Sequence, residues 1–156
     1  MQREPVFGGR VDTAVDLRGN AALALAESAG SDVLVDLAHL LADPEAPVRV
    51  SAARAVAVHG RDGGIPLLHL KALAGDAEPR VVSECLLSLL RLDPEGALAF
   101  VASFFERGDT AAEAAAVALA GRPADTTDPA HDELRSSALL FQLKLLLEGL
   151  QKTALK

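Results

Sequence analysis

The sequence predicts an all-α fold built from stacked helix pairs. The first observation is an internal repeat, because residues 43–75 superpose on residues 76–108 without a gap. A fixed period of about 20–50 residues is typical of stacked supersecondary units. The second observation is composition: the apolar residues are mainly Ala, Leu and Val, and there is no Trp or Tyr, which favours helices over strands. The chain of 156 residues should therefore form a right-handed α-α superhelix of about four helix pairs with a long C-terminal helix.

The first pair follows an irregular start. Residues 1–11 show no hydrophobic periodicity and contain Pro and Gly, which predicts a mobile N-terminal lead-in. A repeat domain should then extend over residues 12–121. Asp12 is the expected N-cap of its first helix, and Ser31 or Asp32 that of its second.

The second and third pairs share one design. In each, the first helix should bury small and branched apolar residues, and the second a stripe of leucines or aromatics. The core positions predicted for the first helices are Val48, Ala52, Ala53 and Val56, and then Val81, Val82, Cys85, Leu86, Leu89 and Leu90. Those predicted for the second helices are Leu67, Leu70, Leu73 and Ala74, and then Leu98, Phe100, Val101, Phe104 and Phe105. The two units are related by an offset of 33 residues. The same offset aligns Val15 with Val48, and Leu34, Leu37 and Leu40 with Leu67, Leu70 and Leu73.

The period breaks after the Ala-rich helix at 111–120. Residues 122–130 contain two Pro and a polar run, which predicts a loop. Residues 131–156 should form a long helix packed on the last repeat, and it carries two apolar stripes. One stripe comprises Leu139, Leu140, Leu143, Leu146, Leu147, Leu150 and Ala154, and the other Leu134, Ala138, Phe141 and Leu145. Since one stripe suffices for packing on the fourth unit, the other indicates a partner protein or a homodimer contact. A contact with the chain's own long loop and Phe104 is the alternative.

The second unit carries a recognisable motif. Asp43, Pro44 and Glu45 precede Val48-Arg49, then the small pair Ala52-Ala53, then a Leu-rich second helix. This order resembles HEAT-like repeats, in particular the short bacterial repeats named after phycobilisome lyases. Val81-Val82 replaces Val-Arg in the third unit, and Gly19-Asn20 stands at the small pair in the first. The resemblance implies a solenoid that acts as a scaffold, adaptor or binding module.

In a HEAT-like solenoid the second helices line the concave surface. The residues opposite the predicted leucine stripe are then candidates for contact with a protein partner. They are Asp36, His39, His69, Lys71 and Phe105. Ordinary solvated positions are the alternative, and for Phe105 a place in the core if the third unit is rotated.

Several function classes are disfavoured by residue content. A net charge of −7 with scattered Lys and Arg disfavours nucleic-acid binding, including that of a HEAT-like DNA glycosylase. None of the four His has a His partner at i+3 or i+4, and there is no His-Glu dipeptide, so no metal or other cofactor is expected. Cys85 occupies a predicted core position of the repeat, and no Gly-x-Ser-x-Gly motif occurs. No catalytic nucleophile is therefore expected.

The sequence also bears on location and role. A single Cys, no signal-peptide pattern and no apolar run of about 18 residues predict a cytoplasmic protein that does not enter membranes. We expect a non-catalytic protein–protein interaction module, chaperone-like or an adaptor. The alternative is an accessory subunit of a lyase-type or other enzyme system that handles a cofactor.

Overall fold

The computed structural model of the chain describes residues 3–6, 9–12, 14–28, 32–59 and 63–120. Within these ranges the fold is helical apart from one short hairpin, which confirms the all-α prediction for this part of the chain. The helices are α1 (Val15–Ala26), α2 (Val33–Leu40), α3 (Ala46–His59), α4 (Gly64–Ala74), α5 (Pro79–Leu92), α6 (Gly96–Ser103) and α7 (Asp109–Ala120), with a 3₁₀ turn at Phe104–Glu106. The predicted loop at 122–130 and helix at 131–156 lie outside the described residues.

The hairpin precedes the helices. Strands β1 (Arg3–Val6) and β2 (Gly9–Asp12) pair antiparallel, with Arg3 opposite Asp12. The sequence predicted a mobile lead-in here and did not predict strands. The expectation that Asp12 caps the first helix is wrong, because Asp12 ends β2 and the N-cap of α1 is Ala14.

Helices α1 and α2 form the first pair, α3 and α4 the second, and α5 and α6 the third. The first helices pack in a row, α1 on α3, α3 on α5 and α5 on α7. The second helices pack mainly on first helices, and α4 contacts α5 of the following pair more extensively than α3 of its own. One continuous cluster of buried side chains runs from α1 to α7.

The second and third pairs repeat with the predicted period. Helix α5 begins and ends one full period after α3 begins and ends. Gly75 and Gly108, which occupy equivalent positions in the two units, both have positive φ, at 75° and 114°, where a side chain would strain the backbone. All the predicted core residues of α3 and α5 are buried, so this part of the prediction is confirmed.

The first pair has a different register from the predicted one. Residues of its core match the second pair at a 31-residue offset, with Ala22 equivalent to Ala53 and Leu37 to Leu68, all fully buried. The match is partial, because Leu17 and Ala21 are exposed where Val48 and Ala52 are buried. At this offset Leu17-Arg18 matches Val48-Arg49, and Ala21-Ala22 matches the small pair Ala52-Ala53. The predicted alignment of Val15 with Val48, and of Gly19-Asn20 with the small pair, is therefore wrong by two residues.

Ion pairs connect successive pairs at equivalent places. Arg18 of α1 donates to Asp43 before α3, with Nε 2.8 Å from Oδ2. Arg49 of α3 donates in the same way to Asp76 before α5, through Nε at 2.8 Å and Nη2 at 2.7 Å. Each Asp also accepts the backbone N–H two residues on, so it begins the next helix and anchors the previous one.

Candidate protein-binding surface

Helix α4 is rotated from its predicted orientation. Its buried residues are Gly64, Leu68 and Ala72, whereas Leu70 is 66% and Leu73 49% exposed. The prediction that Leu70, Leu73 and Ala74 face the core is therefore wrong. Leu68 and Ala72 recur every fourth residue from Gly64, and Gly64 lies against Val56 of α3, so this row of residues sets the buried face.

The rotation gives α4 an apolar solvent face. Its exposed residues after Gly64 are Pro66, Leu70, Leu73 and Ala74, with no polar side chain among them. These four positions recur at three- and four-residue intervals, so they lie on one side of the helix. We call them the α4 apolar face. Exposed apolar residues that are contiguous, rather than scattered, mark interaction sites.

A groove lies beside this face, between α2 and α4. It has a volume of about 340 Å³ and is lined by Leu34, Val35, Ala38, His39, Gly63 and Leu67. We call it the α2–α4 groove. The start of α4 lies close to α2, because a Cβ at Gly63, the N-cap of α4, would come within 2.8 Å of Leu34 Cδ1. Val35 is 57% exposed, so the groove and the α4 apolar face together present apolar side chains from two helices.

One candidate contact residue of α2 lines the groove and another lies on the same helix. His39 lines the groove, and Asp36 is exposed on α2. The Asp36 carboxylate can pair with a basic side chain of a ligand and does not itself fill the groove.

The candidates on α4 and beyond have partners within the chain. The His69 ring stacks on Phe100 of α6, with centroids 4.0 Å apart. Lys71 Nζ lies 2.8 Å from Asp76 Oδ2. Phe105 lies in the 3₁₀ turn and packs, half-buried, against the core. The structure thus places His39 at the groove, leaves Asp36 exposed on the same helix, and uses the other three in internal contacts.

The remaining candidates, Leu134, Phe141 and Leu145, lie outside the described residues. Conversely, Val35, Leu67, Leu70 and Leu73 were missed as surface residues by sequence reasoning. The Pro66–Ala74 stretch could have indicated an apolar surface. It carries apolar residues at nearly every position, so an apolar stripe faces solvent whichever side of the helix is buried.

A second cleft, also of about 340 Å³, lies where α4, α5 and α7 meet. Val82 and Phe104 form part of its apolar wall, and Arg107 lies over the Phe104 ring, with its Cζ 5.0 Å from the centroid. Asp76 also borders it, but its carboxylate is held by Arg49 and Lys71. Burial raises the pKa of Asp76, but the hydrogen bonds from Arg49, Lys71 and the Glu78 N–H lower it by more. The net pKa therefore lies well below its usual range.

The single Cys does not border the groove. Cys85 is fully buried in α5, and burial raises the pKa of its thiol to about 12. Such a thiol is protonated at neutral pH and is a poor nucleophile. Among the described residues, no three His, Cys, Asp or Glu side chains are grouped as metal ligands would be.

Two further findings concern context. No helix in the described ranges has both the length and the apolar character that a bilayer span requires. Comparison with protein-family models, with curated proteins and with solved structures gave no match.

Proposed function

We propose that this chain is a HEAT-like helix-pair solenoid that binds a protein partner and has no catalytic chemistry of its own, as a scaffold, adaptor or chaperone-like module. The α4 apolar face carries this proposal. A solvent-facing side of a helix with Pro66, Leu70, Leu73 and Ala74 and no polar residue costs solubility unless something covers it. The row of contacts between first helices and the repeated ion pairs support the solenoid arrangement.

An amphipathic helix is the partner chemistry that suits the surface best. The α2–α4 groove lies between two helices and is lined by apolar residues and glycine except for His39, as in helix-in-groove recognition. Each leucine that becomes fully buried would contribute about 1.5–3 kcal/mol. The exposed Asp36 on α2 and the net charge of −7 favour a ligand helix with basic residues flanking its apolar stripe. The second contact, through Leu134, Phe141 and Leu145, is proposed as a further partner or dimer contact.

The test compares two exposed apolar residues. Leu70→Glu places a charge on the α4 apolar face, and Val58→Glu places one on α3, where Val58 is 58% exposed and does not line the groove. A photo-crosslinking residue at position 70 would first identify the partner in the native cell. We expect Leu70→Glu to weaken binding of that partner at least about tenfold, because a carboxylate must be desolvated in an apolar contact.

Val58→Glu is expected to leave the affinity unchanged. Isothermal titration calorimetry with the purified partner measures the dissociation constants of both variants. Equal affinities for the two variants and the unsubstituted chain would disprove the role of the α4 apolar face. Far-UV circular dichroism of both variants checks that each remains helical.

A further inference from the structure

The junction between α5 and α7 lacks the arginine that the two earlier junctions share. Arg18 and Arg49 each pair with the Asp that precedes the next first helix. Val82 occupies the equivalent position in α5, one 33-residue period after Arg49. Val82 is shorter and uncharged, and it lines the cleft where α4, α5 and α7 meet. A side chain that spans each earlier junction is thus replaced here by one that leaves space.

A second difference between the units enlarges the same cleft. Val48 and Val81 are fully buried in α3 and α5, and the equivalent residue of α7 is the smaller Ala114. The cleft has a volume of about 340 Å³, at the lower end of the range of about 300–1,000 Å³ that is typical of small-molecule sites. We call it the α4–α5–α7 cleft. Its lining includes Asp76, Val82, Phe104, Arg107, Thr110 and Ala114.

The cleft combines a buried apolar wall with a guanidinium. Phe104 is 2% and Val82 7% exposed, so the apolar body of a ligand would meet side chains that are already shielded from water. Arg107 Cζ lies 5.0 Å from the centroid of the Phe104 ring. A guanidinium over a ring keeps its N–H donors around its own edge. Among the described residues, none accepts a hydrogen bond from the Arg107 side chain, so these donors can serve a ligand.

The carboxylate that borders the cleft is already saturated. Asp76 Oδ1 accepts from Arg49 Nη2 at 2.7 Å and from the Glu78 N–H at 2.9 Å. Asp76 Oδ2 accepts from Arg49 Nε and Lys71 Nζ, both at 2.8 Å. Since a carboxylate has about four lone-pair sites, Asp76 has none left for a ligand. Two cations surround this one anion and Arg107 adds a further positive charge, so the cleft favours an anion although the chain has a net charge of −7.

We propose that the α4–α5–α7 cleft binds a small organic carboxylate, whose apolar body packs against Val82 and Phe104 and whose carboxylate accepts hydrogen bonds from Arg107 and Thr110. The planar guanidinium matches a carboxylate in a bidentate geometry. A cationic ligand would be repelled by Arg107, and a neutral one would leave its charge unmatched. This site goes beyond the proposed partner binding by the α4 apolar face and does not depend on it.

The first test compares three probes of similar shape with the full chain. They are 1-naphthoate, the neutral 1-naphthamide and the cationic 1-naphthylmethylammonium. Backbone amide shifts in ¹H–¹⁵N NMR spectra measure each affinity and locate each probe. We expect saturable shifts at Gly75, Val82 and Ala111, with a dissociation constant for 1-naphthoate below about 1 mM. At low salt the carboxylate should bind at least about threefold more tightly than the amide, and the ammonium more weakly than both.

Three results of this titration would overturn the proposal. The first is the absence of saturable shifts up to about 5 mM 1-naphthoate. The second is a carboxylate that binds no more tightly than the amide or the ammonium. The third is a set of largest shifts at Ala38 and Gly63, because the probe would then occupy the α2–α4 groove.

The second test separates charge from shape. Arg107→Gln should weaken 1-naphthoate binding about three- to tenfold and leave 1-naphthamide binding unchanged. Arg80→Gln is the matched control, because Arg80 is exposed on α5 and does not line the cleft, and it should alter neither affinity. Ala114→Leu fills the cleft and should weaken both probes at least about tenfold, with thermal unfolding as a check of the fold. Equal effects of Arg107→Gln and Arg80→Gln would refute the role of Arg107.

The third test keeps this proposal apart from partner binding. Leu70 does not line the α4–α5–α7 cleft, so Leu70→Glu should leave the affinity for 1-naphthoate unchanged. A loss of 1-naphthoate binding in Leu70→Glu would place the probe on the α4 apolar face and overturn the proposal. Because the partner is tested with Leu70→Glu and the carboxylate with Arg107→Gln, either proposal can fail while the other stands.

Discussion

The junction between the second and third pairs depends on one carboxylate. Asp76 accepts two hydrogen bonds from the Arg49 guanidinium, one from Lys71 and one from the Glu78 N–H. Asp76→Asn keeps an oxygen that can accept the Glu78 N–H, but it removes the charge and replaces Oδ2, which accepts from Arg49 Nε and Lys71, by an amide NH₂ that cannot accept. It therefore separates the ion pairs from the capping of α5, which a change to Ala would not.

The expected cost is large for a single substitution. The side chain of Asp76 is 4% exposed and that of Arg49 12%, so solvent screens this pair little. Removing one partner of a buried pair costs about 3–5 kcal/mol, because the other charge is left uncompensated. We expect about 3 kcal/mol, at the lower end, since Lys71 is 20% exposed and can turn to water. Asp43→Asn, which breaks the more exposed pair with Arg18 (23% and 9%), should cost about 1–2 kcal/mol.

The stability lost in Asp76→Asn should depend on pH in one direction. The pKa of Asp76 in the folded chain lies below its usual range, whereas an unfolded Asp titrates near about 3.9. The stabilisation by the carboxylate is therefore fully present above that value and declines as the pH falls toward the folded pKa. The difference in the free energy of unfolding between the unsubstituted chain and Asp76→Asn should be constant from about pH 5 to 8 and should become smaller in acid.

Urea unfolding followed by circular dichroism measures these free energies, and a double-mutant cycle with Arg49→Met isolates the pair. A coupling free energy below about 0.5 kcal/mol would refute the buried-pair reasoning. The reasoning would also be refuted if the difference in the free energy of unfolding between the unsubstituted chain and Asp76→Asn stayed constant down to about pH 3.

Two further predictions test the packing. Leu68→Ala should lower the free energy of unfolding by about 3 kcal/mol, because it leaves a cavity in the core, whereas Leu70→Ala should change it by less than about 1 kcal/mol; the reverse order in urea unfolding would restore the predicted orientation of α4. Ser88→Ala should stabilise the chain by about 1 kcal/mol, because Ser88 Oγ is fully buried without a hydrogen-bond partner. Ser83→Ala, which loses the bond from Ser83 Oγ to the Pro79 carbonyl, is its control and should not stabilise in thermal unfolding.

The sequence predicted the first helices of the second and third pairs well because their residues differ sharply between faces. Val48, Ala52 and Val56 alternate with Arg49 and Arg54, and only one rotation buries the first set. The equivalent placing of Gly75 and Gly108 then fixed the period, because positive φ favours glycine at both.

The first pair and α4 were harder for a physical reason. Helix α1 is rich in Ala and Leu all round, so several offsets align apolar residues with apolar residues. The discriminating signal was Arg18, whose match with Arg49 and pairing with Asp43 define the 31-residue offset. In α4 no polar residue marks the solvent side, so the stripe of Leu67, Leu70 and Leu73 looked like the core. The position of the candidate surface followed from this rotation and could not be predicted.

The asymmetry between first and second helices has a mechanical consequence. Contacts between successive pairs run through the row α1–α3–α5–α7 and the ion pairs at its junctions. The second helices also take part, because α2 packs on α3 and α4 packs on α5 of the following pair. The two helices that border the α2–α4 groove are therefore held by successive first helices. The spacing of α3 and α5, which the Arg49–Asp76 pair connects, thus contributes to the width of the groove and to the size of the helix that it admits.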